Sequence, residues 1–313
     1  RLVETGKLNL DKTIGDYLPW VKHSDKQGLK VRDLLLHQAG LKSWVPFYKE
    51  TLDENNNLRR DLYSNKPDNN KWIEVAKDLY LRGDYVDTIW NRILISPLEN
   101  KGKSVYSDLD FYFLAAIAES ITGMHIDKYV EEQFYKPMGL KYTTYNPLKK
   151  FKAAQIAPTE NDIFFRKQIL QGYVHDQGAA LMGGVAGHAG IFSTAGDVAA
   201  IFQMLLNKGT YKGQRYFKPE TIEKFTAYNA TISRRGLGFD KPSADKDDAG
   251  PAGNRVSGYA FGHQGFTGTC AWADPATGIV FVFLSNRINP SADNTAINRL
   301  SVRTVAQDYI YES

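Results

Sequence analysis

The sequence predicts an α+β fold in a single domain. A mostly helical lobe is expected over about residues 20–200, and an antiparallel sheet flanked by helices over about residues 210–313. Three observations lead there. Apolar residues recur at helical spacing in the middle of the chain, two strand-like runs joined by a tight turn lie near its end, and an amphipathic run closes it.

The clearest helix begins at Ser107. Ser107 and Asp110 have capping-box spacing, Leu109, Phe113, Ile117 and Ile121 form one apolar stripe, and Gly123 ends the run. A second helix is expected from Ile126 to Tyr135, stopped by Pro137. A third starts at Thr194 with Asp197 as box partner, buries Val198, Ile201, Phe202 and Leu205, and ends at Gly209. Residues 1–45 read as short helical turns and loops. The polar, Asn-rich stretch from Thr51 to Asn70 reads as a surface insertion.

The period then changes. Phe266–Ala273 and Ile279–Asn286 read as strands, joined by Asp274-Pro275-Ala276-Thr277-Gly278. The second strand is apolar almost throughout, which calls for cover on both faces, and a helix from Asp293 to Ile310 could cover one of them.

Composition excludes several classes. The 313 residues are 42% hydrophobic and 24% charged with a formal net charge of +4, an ordinary globular balance. Basic residues are scattered, so no nucleic-acid partner is expected. The longest apolar run, Ile279 to Leu284, is far too short to span a membrane. Cys270 is the sole cysteine, which rules out an intrachain disulfide. The opening Arg1-Leu2-Val3-Glu4-Thr5-Gly6 reads as the end of a helix already under way, with Gly6 at its C-cap. The visible start is therefore expected to be a cut.

Three segments are candidates for chemistry. Tyr106-Ser107-Asp108 opens the best helix. It is either a core tyrosine before an ordinary cap or a tyrosine whose phenolate the helix dipole favours. Gly262-His263-Gln264-Gly265-Phe266-Thr267-Gly268 is either a glycine-rich bend with a surface histidine or a place where backbone N–H groups meet a ligand as an oxyanion hole. Gly183-Gly184-Val185-Ala186-Gly187-His188-Ala189-Gly190 lacks the Lys-Ser or Lys-Thr of a phosphate loop and reads as a close-packed loop near a site. His175-Asp176 and His188 invite a metal reading. No His-x-x-x-His pair supports it, so no metal and no cofactor are expected.

Taken in order, five segments resemble one family, the penicillin-binding-protein and class C β-lactamase type of serine hydrolase, with its DD-peptidases and esterases. They are Gly6-Lys7-Leu8-Asn9-Leu10-Asp11 with Tyr17-Leu18-Pro19, Val31 to Leu41 (VRDLLLHQAGL), Tyr106-Ser107-Asp108, Gly184 to Thr194, and His263-Gln264-Gly265. The resemblance runs from residue 1 to near the C-terminus. It implies a β-lactamase/transpeptidase-like fold and acyl transfer through a Ser-x-x-Lys nucleophile.

By that resemblance Tyr106 moves protons, Asp108 stands at the polar position that orients substrate, and His263 offers hydrogen bonding or charge from the opposing strand. Gln264 and Gly265 line the substrate, and the Phe266 N–H is an oxyanion donor. The implied partner is a β-lactam, a cell-wall peptide or an ester. The implied location is extracytoplasmic, periplasmic or membrane-associated, with no signal visible in the chain. Fusion behind an upstream domain such as a glycoside hydrolase is also implied.

Three departures stand out. Asp108 replaces an amide. His263 replaces a lysine, which predicts an activity change between about pH 6 and 7.5. Ser-x-x-Lys is missing where it belongs, and its one literal match, Ser243 to Lys246, lies in a polar loop and reads as chance. A fragment lacking its N-terminal strands and catalytic helix, inactive alone, is the expectation. The alternative is a degenerate domain that binds peptidoglycan-type peptides or glycans without turnover.

Overall fold

The computed structural model describes residues 1–67, 69, 71–245 and 250–312. The first residues form a single turn in which Lys7 N–H bonds Leu2 O and Gly6 N–H bonds Val3 O, with Gly6 at φ 71°. That pair of bonds is the Schellman closure of a helix end.

The central helix runs Asp108–Thr122. Ser107 Oγ accepts the Leu109 N–H, and Gly123 takes the left-handed conformation after the last turn. The expected capping box is not formed. Asp110 bonds His37 instead, because the helix start packs on the His37 loop rather than facing water. Leu109, Phe113 and Ile117 are buried, against Val31 and Leu34 of the short Val31–Leu35 helix and against Trp20 and Trp90. Truncating Phe113, which is fully buried, would remove about 3–5 kcal/mol.

Other expectations are corrected. The second helical run does not stop at Pro137. It passes from Ile126–Val130 through a π-helical turn, Glu131–Tyr135, into Lys136–Met138, and ends at left-handed Gly139. A widened turn shifts the carbonyl that the proline ring would otherwise strike. The Ala195–Leu206 helix starts at the expected Thr194 cap, yet Val198, Ile201, Phe202 and Leu205 are only partly buried; Met204 is its one fully buried residue. The Thr51–Asn70 stretch is polar in its middle, but Thr51, Leu62 and Tyr63 are buried. Tyr63–Ser64 also pairs with Leu79–Arg82, which in turn pairs with Trp72–Ala76. This small antiparallel sheet carries no long alternating run that would have announced it.

The C-terminal sheet has three antiparallel strands, Phe261–Gln264, Cys270–Asp274 and Ile279–Phe283, in that order. The expected strand from Phe266 starts only at Cys270, because residues 265–269 form a turn. The strand before that turn carries His263. The Asp274–Gly278 connection is the tight turn expected, closed by Gly278 N–H to Asp274 O at 2.9 Å. The Ala195–Leu206 helix covers one face, where Phe202 stacks on Phe261. The closing helix covers the other, where Tyr311 packs with Cys270, Trp272, Phe281 and Phe283. That helix is Ala296–Arg299 and Val302–Glu312, interrupted at Ser301 with φ 50°. Ile279–Phe283 is partly buried throughout rather than fully covered, since it is the edge strand.

Candidate active site

His37 fixes the entry to the central helix. It sits at φ 55°, a left-handed conformation that histidine tolerates better than most residues. Its carbonyl accepts the Val105 N–H at 2.9 Å and its Nδ1 accepts the Ser107 N–H at 3.1 Å. Its ring lies 4.3 Å from the Tyr106 ring. Tyr106 is thus clamped on both backbone sides and on one face.

Behind the clamp, His37 Nδ1 lies 2.7 Å from Asp110 Oδ2, with both side chains buried. Burial pushes His37 down to about 3 and holds Asp110 well above the usual carboxylate range. The hydrogen bonds agree with both directions. Nδ1 faces the Ser107 N–H and so carries no proton; the shared proton is assigned to Asp110, whose hydroxyl shares the single Nδ1 lone pair with that N–H. Asp110 Oδ1 is buried without a partner among the described residues, an arrangement that a neutral carboxyl tolerates far better than an anion.

Tyr106 is half-exposed, with its ring 5.8 Å from that of His263 on the facing strand. The central-helix dipole does not make it acidic. Burial and the Asp108 carboxylate push its pKa upward, Asp240 and Asp110 add to this, and Arg235 opposes it. Burial lowers His263 below its ordinary 6.5, while its Nδ1 is held at 2.7 Å from Gln264 O. The expected change between pH 6 and 7.5 therefore moves to lower pH.

The turn after His263 is anchored at its carbonyls. Gly265 O accepts from Gly268 N–H and from Arg303 Nη1, both at 3.1 Å, and Phe266 O accepts from Arg287 Nε at 2.8 Å. A trans peptide places its N–H opposite its C=O. Fixing Gly265 O therefore aims the Phe266 N–H the other way, and among the described residues it donates to no protein acceptor. The Phe266 ring is exposed, stacked at 5.1 Å on His175 and under Arg287. Gln264 Nε2 reaches Pro251 O and holds the loop before the strand.

Asp108 faces a second network. Burial pushes its carboxyl up to about 6, with the Asp176 charge adding to the rise and His188 opposing it. His188 Nε2 bonds Asp176 Oδ1 at 2.8 Å, its ring stacks on Tyr112, and Asp176 caps the Gln177–Leu181 helix. One ligand-type atom from each of Asp108, Asp176 and His188 gathers within 4.8 Å. The His188–Asp176 hydrogen bond engages two of those atoms with each other, and no metal role is assigned to the group. His175 goes elsewhere, to Glu160 at 2.6 Å. The glycine-rich loop carrying His188 packs tightly: a Cβ at Gly187 would collide with Phe111 O of the central helix.

The structure thus brings Tyr106 and His263 together, and it places Gly265 and Phe266 on the turn that ends the His263 strand. Two contributors were not singled out from sequence. His37 stood inside a quoted motif without a role. Arg235, in Arg234-Arg235-Gly236-Leu237-Gly238, gave no signal beyond its glycines. Ser107, next to Tyr106, is not an available nucleophile. It is buried, and its hydroxyl donates to Lys42 O while accepting from Leu109. The Ser243–Lys246 match ends on a lysine outside the described residues.

The family profile described as Beta-lactamase matches residues 1–306. The chain is 35% identical over 314 aligned residues to an Escherichia coli K12 protein named as a D-alanyl-D-alanine carboxypeptidase, covering 94% of the chain and 66% of that protein. It is 37% identical to the N-acetylmuramyl-L-alanine amidase of Bacillus subtilis 168, covering 92% of the chain and 64% of the relative. The chain therefore spans about two-thirds of the length of these curated relatives. A D-stereospecific amidohydrolase from Streptomyces shares the fold, with TM-score 0.63, 18% identity, and coverage of 96% of this chain and 81% of that one.

Proposed function

The chain belongs to the β-lactamase family of serine hydrolases, and from that premise we propose that it builds the acid–base and oxyanion wall of an acyl hydrolase acting on amide bonds in cell-wall-type peptides. The names of the two curated relatives, a carboxypeptidase and an amidase, favour an amide over a simple ester. The observation that carries the reading is Tyr106 held against His263, on the strand whose following turn leaves the Phe266 N–H without an acceptor among the described residues.

In this reading a serine hydroxyl attacks the amide carbonyl. The C–O bond forms as Tyr106 Oη, entering the step as the phenolate with its own proton already released to solvent, takes the serine proton, and the oxyanion rests on the Phe266 N–H. Tyr106 then hands that proton to the leaving nitrogen as the C–N bond breaks. Water repeats the sequence on the acyl ester. Ser107 is engaged and the expected Ser-x-x-Lys motif is missing from its place in the sequence, so in this reading the nucleophile belongs to a part of the polypeptide outside these 313 residues, and an extracytoplasmic location goes with the substrate. No helix among the described residues is long and apolar enough to cross a membrane.

The test is turnover of N-acyl-D-alanyl-D-alanine and muramyl-peptide substrates by the full-length protein and its Tyr106→Phe variant. We expect the variant to lose a factor of about 10²–10⁴ in kcat, the range for a general acid–base group. Unchanged kcat would remove Tyr106 from the mechanism.

A further inference from the structure

Arg235 is a cation of the site that the acyl-transfer steps leave unused. It is nearly buried, with a side-chain exposure of 12%, and its guanidinium carbon lies 5.2 Å from the centre of the Tyr106 ring. Its Nη1 is 3.5 Å from His263 Nε2, and its Nη2 is 3.8 Å from Asp240 Oδ2. Asp240 is bound more closely by Arg234, at 3.0 Å, and it sits beside the sheet through paired backbone bonds with Gly262. Asp240 is therefore fixed chiefly by other partners, and Arg235 rests between it, the imidazole and the phenol, sharing Asp240 with Arg234 at the longer distance.

We infer that Arg235 is the positioning residue of Tyr106, supplying from the face of the phenol ring the permanent positive charge against which that hydroxyl loses and regains its proton. The inference rests on the acyl-hydrolase reading for its purpose, but not for its geometry. The groups facing Tyr106 account for the need. The central helix brings the carboxyls of Asp108 and Asp110, the strap before the sheet brings Asp240 and Arg235, and the loop and strand bring His37 and His263. The Asp108 and Asp240 carboxylates oppose a phenolate, whereas Asp110, which holds its proton, opposes it little. His37 is buried and His263 partly buried, which favours their uncharged forms and leaves neither able to oppose the carboxylates at neutral pH. Arg235 is the one group among these that is always charged. Its charge adds to the burial that disfavours protonation of both imidazoles, while it favours the phenolate.

The experiment is a pH titration of the protein labelled with 3-fluorotyrosine and followed by fluorine NMR. The Tyr106 resonance is assigned by its loss in Tyr106→Phe, and the lower intrinsic pKa of the fluorinated phenol brings its ionisation into range. Arg235→Gln should raise the Tyr106 midpoint by roughly one to three pH units, the span for a charge at this distance. Arg235→Lys should raise it by less. The same upward shift should appear in the kcat profile of the full-length enzyme, with KM for a neutral ester little changed.

A Tyr106 midpoint that stays within about 0.3 unit in a folded Arg235→Gln variant would overturn the inference. If that variant does not fold, the Arg235→Lys midpoint decides in the same way. A shifted midpoint in a protein that hydrolyses nothing would keep Arg235 and sink the hydrolase reading. Turnover without any shift would do the reverse.

Discussion

Replacing Asp110 with asparagine should make folding acid-sensitive in a way that the native pair prevents. His37 has its folded pKa lowered to about 3 by burial. Such a group contributes stability that is present above its unfolded pKa of 6.5 and is lost as pH falls toward the folded value. Asp110 is raised, so it contributes stability that is present below its unfolded pKa and is lost as pH rises through the folded one.

In the native pair these losses offset between about pH 4 and 6.5, because folded and unfolded chains each hold one proton, on Asp110 and on His37 respectively. The amide introduced by Asp110→Asn keeps a side-chain N–H for Nδ1 but cannot hold that proton. The variant should then lose roughly 2–3 kcal/mol on acidification from about pH 7.5 to 4.5, two pH units below the imidazole's unfolded value at 1.36 kcal/mol each. Urea unfolding of both proteins at both pH values measures the difference, and titrations elsewhere in the chain cancel in the comparison. The same pH dependence in the variant as in the native protein would show that His37 and Asp110 do not share a proton.

Two other outcomes follow from the site. Arg303→Met removes one of the two donors that hold the Gly265 carbonyl, leaving only the Gly268 N–H, so the aim of the Phe266 N–H loosens; kcat should fall by about 10-fold with KM nearly constant, and a boronate transition-state analogue should bind correspondingly less tightly. An equal rise in KM would instead place Arg303 in substrate binding. His263 should produce an inflection in kcat/KM below pH 6.5, absent in His263→Gln, and an inflection that survives that substitution belongs to another group.

The chain announced its structure where local chemistry and tertiary packing agree. Ser107, the Leu109–Ile117 stripe and Gly123 mark the central helix because cap, period and stop all fall on one short segment. Asp274 to Gly278 marks its turn for the same reason. The strand Phe261–Gln264 was hidden because four residues with a glycine and two polar side chains have no usable alternation, and its pairing with Cys270–Asp274 is what makes it a strand. The reach of the helix through Pro137 depends on a π-turn that no single residue type signals.

At the site, motif order pointed to Tyr106 and His263, and their rings do face each other. The electrostatics of Tyr106 could not be read from sequence because they depend on Asp108, Asp110, Asp240 and Arg235 converging from separate segments. Arg235 and Arg303 act only through where the fold delivers them, and an isolated arginine in a sequence has no period to reveal it.

The most direct test of the acyl-hydrolase account is intact-mass and peptide mapping of the full-length protein after exposure to a fluorophosphonate and to a β-lactam. The account predicts one adduct per polypeptide, on a serine outside these 313 residues, formed more slowly in Tyr106→Phe. No adduct on the folded full-length protein, or an adduct on a serine within residues 1–313, would contradict it.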